Sequence, residues 1–326
     1  MEVGGDVIAE AASRGGGLGG IMWAIVFCPE LICVVAMIPS ELESFVSADQ
    51  PLAEHLWLGI GGPARYLARP QSDDEVRQAS RWAAEQLIPV RVLGGGSNLL
   101  VRESGFDGLV IVLPDLVDSS DRDGQRIRFG GGTKLSEVVV HCVGQGLAGI
   151  EHLVGLPGTV AGGVVGNVSA GGRDIGSRVS SVTVMTADHD LATIDAAEIQ
   201  FSHRSSSLGD RPILSVAFDL EQADAETLTK RMQKLWISRK RTKANREDRV
   251  VMPFVDPDGM STSDLLRSVG LVGVREGNVM MHDGCPELLA ATEGATSEDC
   301  LKLIDRVREQ VRLQTGVELQ LNLQIW

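Results

Sequence analysis

Two glycine-rich turns place the tightest constraint on what this chain can fold into. The first is Gly94-Gly95-Gly96-Ser97-Asn98, which follows a short β-branched segment. The second spans residues 155–163, about sixty residues further along the chain, and it also follows an apolar segment. Glycine has no Cβ atom, so consecutive glycines let backbone N–H groups curl around an anion at close range. We interpret the two turns as walls of one site for an extended, phosphate-bearing ligand.

The two turns supply the candidate cofactor-binding residues. Taken alone, the first turn is also compatible with a plain strand-to-helix turn. It does not fit the ordinary dinucleotide fingerprint, because the apolar run at residues 99–101 stands where a helix should begin at once. In the second turn a proline stiffens the loop while the glycines remove side-chain bulk. The candidates are Gly94, Gly95, Gly96, Ser97, Asn98, Pro157, Gly158, Thr159, Gly162, Gly163 and Asn167.

Apolar spacing predicts helices and strands in alternation. Capping boxes at Ser72 and Thr296 and a cap at Thr133 predict three helix starts. Short β-branched runs predict strands at residues 90–93, 108–113, 182–185 and 213–220. The last segment alternates and predicts a terminal strand with Val317, Leu319, Leu321, Leu323 and Ile325 on one face. The helical faces are Val76, Ala79, Ala83 and Leu87; Leu135, Val138, Val139, Cys142 and Val143; Leu228, Met232, Leu235 and Trp236; and Cys300, Ile304, Val307 and Val311.

The net charge of -14 argues against a nucleic-acid partner or an anionic membrane surface. Two interpretations are open for one basic stretch, residues 230–249: it forms a solvated helix face, or it contacts a substrate phosphate. The five cysteines are scattered without paired spacing, which favours a reducing compartment and predicts neither disulfides nor a metal site. The six histidines form no ligand cluster either.

Residues 1–46 form an amino-terminal extension unlike the rest of the chain. Its apolar run, residues 21–37, is broken by Pro29 and Glu30 and is too short and too interrupted for a membrane span. It also lacks the basic start of a secretory signal. We hypothesise that Met37 is the true start and that the upstream part is a mis-assigned or disordered extension. The alternative is an amphipathic or membrane-contacting anchor.

Three motifs make the chain resemble a known family. They are residues 58–66 (LGIGGPARY), residues 92–101 (VLGGGSNLLV) and residues 149–167, which contain the second glycine turn. Together they resemble the signatures of the UDP-N-acetylenolpyruvoylglucosamine reductase family, the flavoenzymes that make UDP-N-acetylmuramate for peptidoglycan. The resemblance covers residues 47–326.

The resemblance implies an α+β fold: a two-lobed FAD-binding module of the vanillyl-alcohol-oxidase (PCMH) type, followed by a carboxy-terminal substrate lobe. We expect the two lobes at residues 47–116 and 117–220 and the substrate lobe at residues 221–326. It also implies a cytoplasmic oxidoreductase that uses FAD and NADPH on a UDP-sugar. In that family NADPH reduces the flavin, which then passes a hydride to an enolpyruvyl double bond. An arginine and a glutamate attend the substrate carboxylate, and a serine or cysteine gives the proton.

The family's catalytic residues are only partly retained. Arg204 matches the family arginine and is the predicted catalytic residue. The proton-donor position holds Met252, whose thioether carries no exchangeable proton, and the glutamate position holds Asn322. A further serine, histidine and asparagine of the family are replaced by His282, Cys285 and Glu287.

These replacements leave three hypotheses open. The first is an active reductase with a substitute proton donor: His203, Ser205, His282, Cys285 or a bound water. The second is an FAD-binding paralogue that has lost the reductase reaction or acts on another small molecule, because the losses concentrate in the substrate lobe. The third is a different flavin oxidoreductase on the same scaffold, with His282 or Cys285 near the flavin ring.

Overall fold

The computed structural model describes residues 24–28, 31–35, 37–113, 126–209, 211–240 and 249–326. They fall into two compact units, Met1–Glu41 and Leu42–Trp326. In the first unit, β1 (Ala24–Cys28) and β2 (Leu31–Val35) pair antiparallel. Residues 1–23 lie outside the described residues, so the hypothesis of a start at Met37 stays a prediction. No helix among the described residues is long and apolar enough to cross a bilayer.

The second unit begins at Leu42, earlier than the boundary expected at residue 47. The reason is burial: Leu42 and Phe45 are 2% and 9% exposed. The carbonyl of Phe45 also accepts a hydrogen bond from the amide of Arg69 at 2.8 Å. These residues therefore pack as part of the first lobe.

The first lobe is built on a mixed four-stranded sheet in the order β3-β4-β7-β5. β4 and β5 both run parallel to β7, and β3 closes the edge antiparallel to β4. The glycine turn at residues 94–98 connects β5 to the short β6. The elements are β3 (Val46–Pro51), β4 (Pro63–Ala68), α1 (Asp73–Glu85), β5 (Val90–Leu93), β6 (Leu99–Leu100) and β7 (Phe106–Val112).

The second lobe is built on an antiparallel four-stranded sheet in the order β13-β12-β16-β8. The second glycine turn lies between the short β9 and α3. The elements are β8 (Arg126–Gly130), α2 (Leu135–Gly144), β9 (Leu147–Ala148), α3 (Val160–Val165), β10 (Ser169–Ala170), β11 (Arg173–Asp174), β12 (Val179–Met185), β13 (Leu191–Asp195), β14 (Phe201–Ser202), β15 (Ser205–Ser206), β16 (Ile213–Asp219) and β17 (Glu221–Gln222).

The third lobe carries the antiparallel sheet β18-β21-β20-β19. The helix at its amino-terminal border, α4, packs on α2 of the second lobe, and the lobe boundary at residue 221 stays a prediction. The elements are α4 (Ala225–Lys240), β18 (Val250–Val251), α5 (Thr262–Ser268), β19 (Arg275–Glu276), β20 (Val279–Met281), β21 (Leu289–Ala291), α6 (Ser297–Thr315) and β22 (Gln324–Ile325).

The capping boxes form the helix starts that they predict. Ser72 Oγ accepts from the amide of Glu75 at 3.2 Å, and Thr296 Oγ1 accepts from the amide of Asp299 at 3.1 Å. Gly316 ends α6 in the left-handed conformation, with φ at 75°. The predicted faces of α1, α2 and α6 are buried, with the exception of Leu87.

Two local predictions were wrong. Leu87 lies beyond the end of α1 at φ 56° and is 92% exposed, because Ile88 takes the buried position instead. Lys134, not Thr133, is the N-cap of α2, since the carbonyl of Thr133 accepts from the amide of Val160. The helix predicted from Leu228, Met232, Leu235 and Trp236 is confirmed as α4, on which Trp236 is 46% exposed.

The terminal strand is shorter than its alternating sequence predicts. Leu319 and Leu323 are buried, but Leu321 between them is 37% exposed. The segment first bridges Phe254 in the third lobe and then pairs as β22 with β6 of the first lobe. Because it changes partner midway, its side chains do not keep one alternating register.

Candidate cofactor and substrate site

The two glycine turns lie against each other, backbone to backbone. A Cβ atom added to Gly95 would stand 2.7 Å from Cα of Gly158, and one added to Gly94 would stand 2.9 Å from Oγ1 of Thr159. Real Cβ atoms do not make contacts this close, so any larger residue would push the turns apart. The structure thus joins the two turns into one surface, as the sequence predicts.

The first turn offers unpaired amides. Gly96 has φ 62°, and a Cβ atom there would meet the carbonyl oxygen of His55 at 2.1 Å, so only glycine fits. The amide of Trp57 donates to the carbonyl of Gly96 at 3.0 Å, which holds the turn in place. Within the described part of the chain, the amides of Gly95, Gly96 and Ser97 donate to no protein acceptor. These free donors in a cradle without side chains fit a pyrophosphate.

The second turn is braced from inside. Thr159 is the N-cap of α3, and its Oγ1 accepts from the amide of Gly162 at 3.4 Å. A Cβ atom on Gly163 would approach Cδ1 of Leu135 at 3.1 Å, so this glycine lets α3 pack on α2. The carbonyl of Gly158 accepts from the amide of Leu135 at 3.1 Å. Thr159 and Gly163 therefore shape the loop, whatever else they contact.

Both polar atoms of the Asn167 side chain form hydrogen bonds within the protein. It is 2% exposed, its Nδ2 donates to the carbonyl of Ser202 at 2.9 Å, and its Oδ1 accepts from the amide of Gly176 at 3.1 Å. The first of these bonds holds the β14–β15 hairpin against the end of α3. The side chain predicted to bind the cofactor is therefore occupied with positioning this hairpin.

Arg204 stands at the tip of that hairpin. It is half-buried between the exposed His203 and Ser205, and its backbone has φ 58°, which is unfavourable for a non-glycine residue. Such conformations persist where the surrounding structure enforces them, and they concentrate at functional sites. Among the described residues the guanidinium forms no ion pair, so it remains available to an anionic ligand.

The first turn also meets the third lobe through a reciprocal pair of asparagines. Nδ2 of Asn98 donates to the carbonyl of Asn322 at 2.7 Å, and Nδ2 of Asn322 donates to Oδ1 of Asn98 at 3.2 Å. Nδ2 of Asn322 donates to the carbonyl of Met252 as well, at 3.1 Å. The glycine turn and the two replaced positions, Met252 and Asn322, are thus adjacent.

Two other candidate residues share a turn beside Met252. Cys285 and Met252 pack, half-buried, against the same small cluster of Val250, Leu288 and Ala290. His282 accepts two amide hydrogen bonds at Nδ1, from Gly284 at 3.0 Å and Cys285 at 3.1 Å. Its Nδ1 is therefore unprotonated, and the ring serves to shape the turn.

A buried charge network under the second turn is not evident from sequence periodicity. Glu151 is 1% exposed and forms ion pairs with Arg173 at 3.4 Å and with Arg231 of α4 at 3.1 Å. Burial opposes its ionisation, but the amide of Gly149 and the two arginines outweigh it and lower the pKa of Glu151. The signal for Glu151 was its position inside the third motif, at residues 149–167.

The basic stretch at residues 230–249 bonds mainly to the protein. Arg239 donates to the carbonyl of Val154 at the start of the second turn. Arg249 donates from Nε to the carbonyl of Leu58 at 2.8 Å and from Nη2 to that of Gly59 at 3.1 Å. Arg239 and Arg249 thus brace the loops, whereas Lys230 and Arg231 lie on an exposed face of α4 and pair with Glu226 and Glu151. Residues 241–248 lie outside the described residues.

His152 is the one unusual group in this network. It is 2% exposed, and within the described residues neither ring nitrogen has a hydrogen-bond partner. Burial, with Arg173 beside it, lowers the pKa of His152 to about 4. The ring is therefore neutral at physiological pH.

Comparison with protein families covers both halves of the second unit. A family model described as an FAD binding domain matches residues 64–195. A second, described as the UDP-N-acetylenolpyruvoylglucosamine reductase C-terminal domain, matches residues 245–326. The predicted fold class is confirmed: an α+β chain with a two-lobed FAD-binding module followed by a carboxy-terminal lobe.

Individual proteins match over nearly their whole length. The UDP-N-acetylenolpyruvoylglucosamine reductase of Rhodopirellula baltica is 51% identical over 289 residues, which is 88% of this chain and 95% of that protein. Reductase 2 of Symbiobacterium thermophilum is 33% identical, over 85% of this chain and 91% of that protein. The crystal structure of the Thermus caldophilus reductase superposes with a TM-score of 0.73 at 27% identity, over 86% of this chain and all of that chain.

Proposed function

Since this chain belongs to the UDP-N-acetylenolpyruvoylglucosamine reductase family, we propose that it reduces UDP-N-acetylglucosamine enolpyruvate to UDP-N-acetylmuramate, with FAD as bound cofactor and NADPH as reductant. The proposal rests mainly on one observation: the two glycine turns and the third lobe are in contact with one another. The two glycine turns form one surface, and the reciprocal pair of Asn98 and Asn322 joins that surface to the lobe that bears the substrate-site positions.

We assign the FAD pyrophosphate to the surface made by the two turns. The amides of Gly95, Gly96 and Ser97, which donate to no acceptor among the described residues, supply donors, and the missing Cβ atoms at Gly95 and Gly158 allow close approach. Thr159, Gly162, Gly163 and Asn167 support that surface through the contacts described above. When bound, FAD supplies the two-electron transfer between NADPH and the enolpyruvyl double bond.

Arg204 is the proposed catalytic residue. Within the described part of the chain its guanidinium forms no ion pair, and it stands at the tip of a hairpin that Asn167 ties to the second lobe. A fixed cation beside the substrate carboxylate would stabilise the negative charge that develops there during reduction, and such prearranged charges contribute most when their position is enforced. The left-handed backbone of Arg204 supports this role because it fixes where the side chain leaves the turn.

The location proposed for the protein is the cytoplasm. Cys142 and Cys300 are buried and Cys285 is half-buried, and none of these three described cysteines forms a disulfide. Thiols that persist without pairing suit a reducing compartment. NADPH and nucleotide sugars, the proposed substrates, would be drawn from the same compartment. Peptidoglycan precursor synthesis is accordingly the proposed biological context.

The proposal is tested by replacing Arg204 with alanine and with lysine. We expect Arg204→Ala to lower kcat by about a hundredfold or more, because removal of one transition-state donor costs on that order. The FAD content and the rate of flavin reduction by NADPH should stay unchanged, since Arg204 acts only on the second substrate. Arg204→Lys should recover part of the loss, because it keeps the charge without the planar fork.

The matched control is Arg126→Lys, which alters an exposed arginine paired with Asp219 on the surface of the same lobe. This variant should turn over at the wild-type rate. Wild-type protein that carries FAD but never oxidises NADPH in response to the enolpyruvyl substrate would contradict the proposed function. Full activity in Arg204→Ala would contradict only the assignment of the arginine.

A further inference from the structure

The reduction proposed above needs a proton donor that the family positions no longer supply. The second bond formed in the reaction is a C–H bond at the carbon beside the substrate carboxylate. Met252 has no exchangeable proton, and the side-chain amide of Asn322 already donates to Oδ1 of Asn98 and to the carbonyl of Met252. The inference below rests on the proposed function and concerns where this proton comes from.

One thiol of the chain packs against the same cluster as Met252. β18, which directly precedes Met252, pairs with β21 so that Val250 faces Ala290. The turn before β21 folds back on itself, because the amide of Leu288 donates to the carbonyl of Cys285 at 2.9 Å. Met252 and Cys285 consequently pack against one cluster, formed by Val250, Leu288 and Ala290.

Cys285 differs from the other described thiols in being reachable. Cys142 and Cys300 are 0% exposed, whereas Cys285 is only half-buried at the surface of its turn. Burial and the nearby carboxylate of Glu287 raise the pKa of the Cys285 thiol, while Arg267 acts weakly the other way. The sulfur therefore keeps its proton at neutral pH, as a general acid must.

Glu287 adds an unexplained polar atom at the same turn. Its Oε2 is buried, and within the described residues it has no hydrogen-bond partner. Buried carboxylate oxygens without partners are rare, and each one calls for a ligand, a water or a functional role. Glu287 lies two residues after Cys285, and its negative charge raises the pKa of the Cys285 thiol.

We propose that Cys285 delivers the proton to the carbon beside the substrate carboxylate, and that Glu287 acts as its positioning residue. The two electrons that saturate the double bond come from NADPH through FAD and enter at the methylene carbon. The S–H bond of Cys285 then breaks as the new C–H bond forms. The thiolate regains a proton from water, which returns the enzyme to its starting state.

The competing residue on this turn is His282. Its Nδ1 accepts from the amides of Gly284 and Cys285, so protonation there would break both hydrogen bonds. Its ring instead fixes the backbone that presents Cys285. Arg267 contributes in the same way, since its Nη2 donates to the carbonyl of Gly284 at 3.1 Å. The charged or titratable groups that face the thiol are thus Glu287, Arg267 and His282.

The test uses the full-length holoenzyme with Cys285→Ala and the double variant Met252→Ser/Cys285→Ala. Under anaerobic conditions, Cys285→Ala should be reduced by NADPH at the wild-type rate but reoxidised by the enolpyruvyl substrate about a hundredfold more slowly or worse. The double variant restores a hydroxyl at the family's donor position, and we expect it to regain at least tenfold of that loss. Asp283→Asn, an exposed change on the same turn, is the control and should leave both steps unchanged.

A second measurement does not depend on turnover. The rate of Cys285 alkylation by iodoacetamide, followed by mass spectrometry, should fall about tenfold when UDP-N-acetylglucosamine enolpyruvate is bound, because a donor must touch its substrate. Glu287→Gln should shift the pH profile of alkylation to lower pH, since it removes the charge that holds the proton on sulfur. A purely structural cysteine would show neither effect.

The outcomes separate this inference from the proposed function. Wild-type reoxidation by the substrate together with unimpaired reoxidation of Cys285→Ala overturns the role of Cys285 and leaves the reductase intact. Unprotected alkylation in an active wild-type enzyme overturns it as well. Wild-type flavin that the substrate cannot reoxidise overturns the proposed function itself.

Discussion

At the scale of single residues, the site depends on glycines, and the space around each one shows whether a larger residue would fit there. Gly95 and Gly96 are enclosed by backbone atoms of neighbouring loops, whereas Gly144 at the end of α2 has open space where a Cβ atom would go. Glycine content alone does not distinguish these cases, because the distinction lies in tertiary contacts. The tight contacts at Gly95 lead to a prediction about FAD binding.

Gly95→Ala should weaken FAD binding. The added Cβ atom would lie 2.7 Å from Cα of Gly158, so the two turns must separate. A misplaced pyrophosphate surface should cost on the order of tenfold or more in FAD affinity, about 1.4 kcal/mol. The dissociation constant for FAD, from quenching of flavin fluorescence, checks this. Gly144→Ala is the matched control and should bind FAD like the wild type; equal affinity in both variants would contradict the assignment of the turns.

His152 should make the protein less stable in mild acid. Its folded pKa, about 4, lies below the ordinary value of 6.5, so the unfolded chain takes up a proton first as the pH falls. Stability is then fully present above pH 6.5 and is lost between pH 6.5 and about 4, by about 2 kcal/mol after discounting for solvent screening. Urea unfolding across this range measures it.

The control for His152 is a pair of phenylalanine substitutions. His152→Phe should flatten the pH dependence above pH 4.5, because Glu151, whose pKa is lowered, adds its own loss of stability only below that value. His203→Phe, at an exposed position, should leave the curve as in the wild type. An unchanged slope in His152→Phe would show that another group is responsible.

At the scale of elements, local sequence patterns correctly predict the helix starts and helix faces that depend on local interactions. The capping boxes at Ser72 and Thr296 and the apolar faces of α1, α2 and α6 are found as expected, because each depends on residues within a few positions. The exposed Leu87 and Leu321 show where periodicity fails: at an element's end, or where a segment changes partner. The β14–β15 hairpin was not predicted, since two-residue strands leave no periodic pattern.

Asn167→Asp should loosen the hairpin that carries Arg204. The carboxylate can still accept from the amide of Gly176, but it cannot donate to the carbonyl of Ser202, and it places a charge on a side chain that is only 2% exposed. That loss costs about 1–3 kcal/mol. We expect kcat/KM for the enolpyruvyl substrate to fall about tenfold with FAD content retained, because the hairpin positions Arg204. Loss of FAD with an unchanged kcat/KM per bound flavin would instead assign Asn167 to the cofactor alone.

At the scale of the whole second unit, the carboxy terminus returns to the first lobe. β22 runs parallel to β6, and the carboxylate of Glu103 in the first lobe accepts from the amide and hydroxyl of Ser297 at the start of α6. Burial opposes ionisation of Glu103, yet the bonds from Ser297 lower its pKa. Contacts between residues about two hundred positions apart in the chain cannot be predicted from local sequence patterns. The resemblance could place Met252 and Asn322 in one site, but not the pairing of Asn322 with Asn98.

Asn322→Asp should destabilise the junction between the first and third lobes. The new carboxylate would face Oδ1 of Asn98 and the carbonyl of Met252, two acceptors that now receive hydrogen bonds from the asparagine. We expect a loss of about 2–3 kcal/mol at pH 7, shrinking toward pH 4, where the protonated acid can donate again. Gln324→Glu adds the same charge at an exposed neighbour and should cost little. Equal losses in the two variants, by thermal unfolding, would mean that general repulsion rather than the asparagine pair is responsible.

The proposed site holds FAD and passes electrons from NADPH to UDP-N-acetylglucosamine enolpyruvate. The most direct measurement is the flavin absorption spectrum of the purified protein in the absence of oxygen. NADPH should bleach the bound flavin, and addition of the enolpyruvyl substrate should restore its colour with formation of one UDP-N-acetylmuramate per flavin. Flavin that stays bleached after the substrate is added, or colourless protein that takes up no added FAD, would contradict the account.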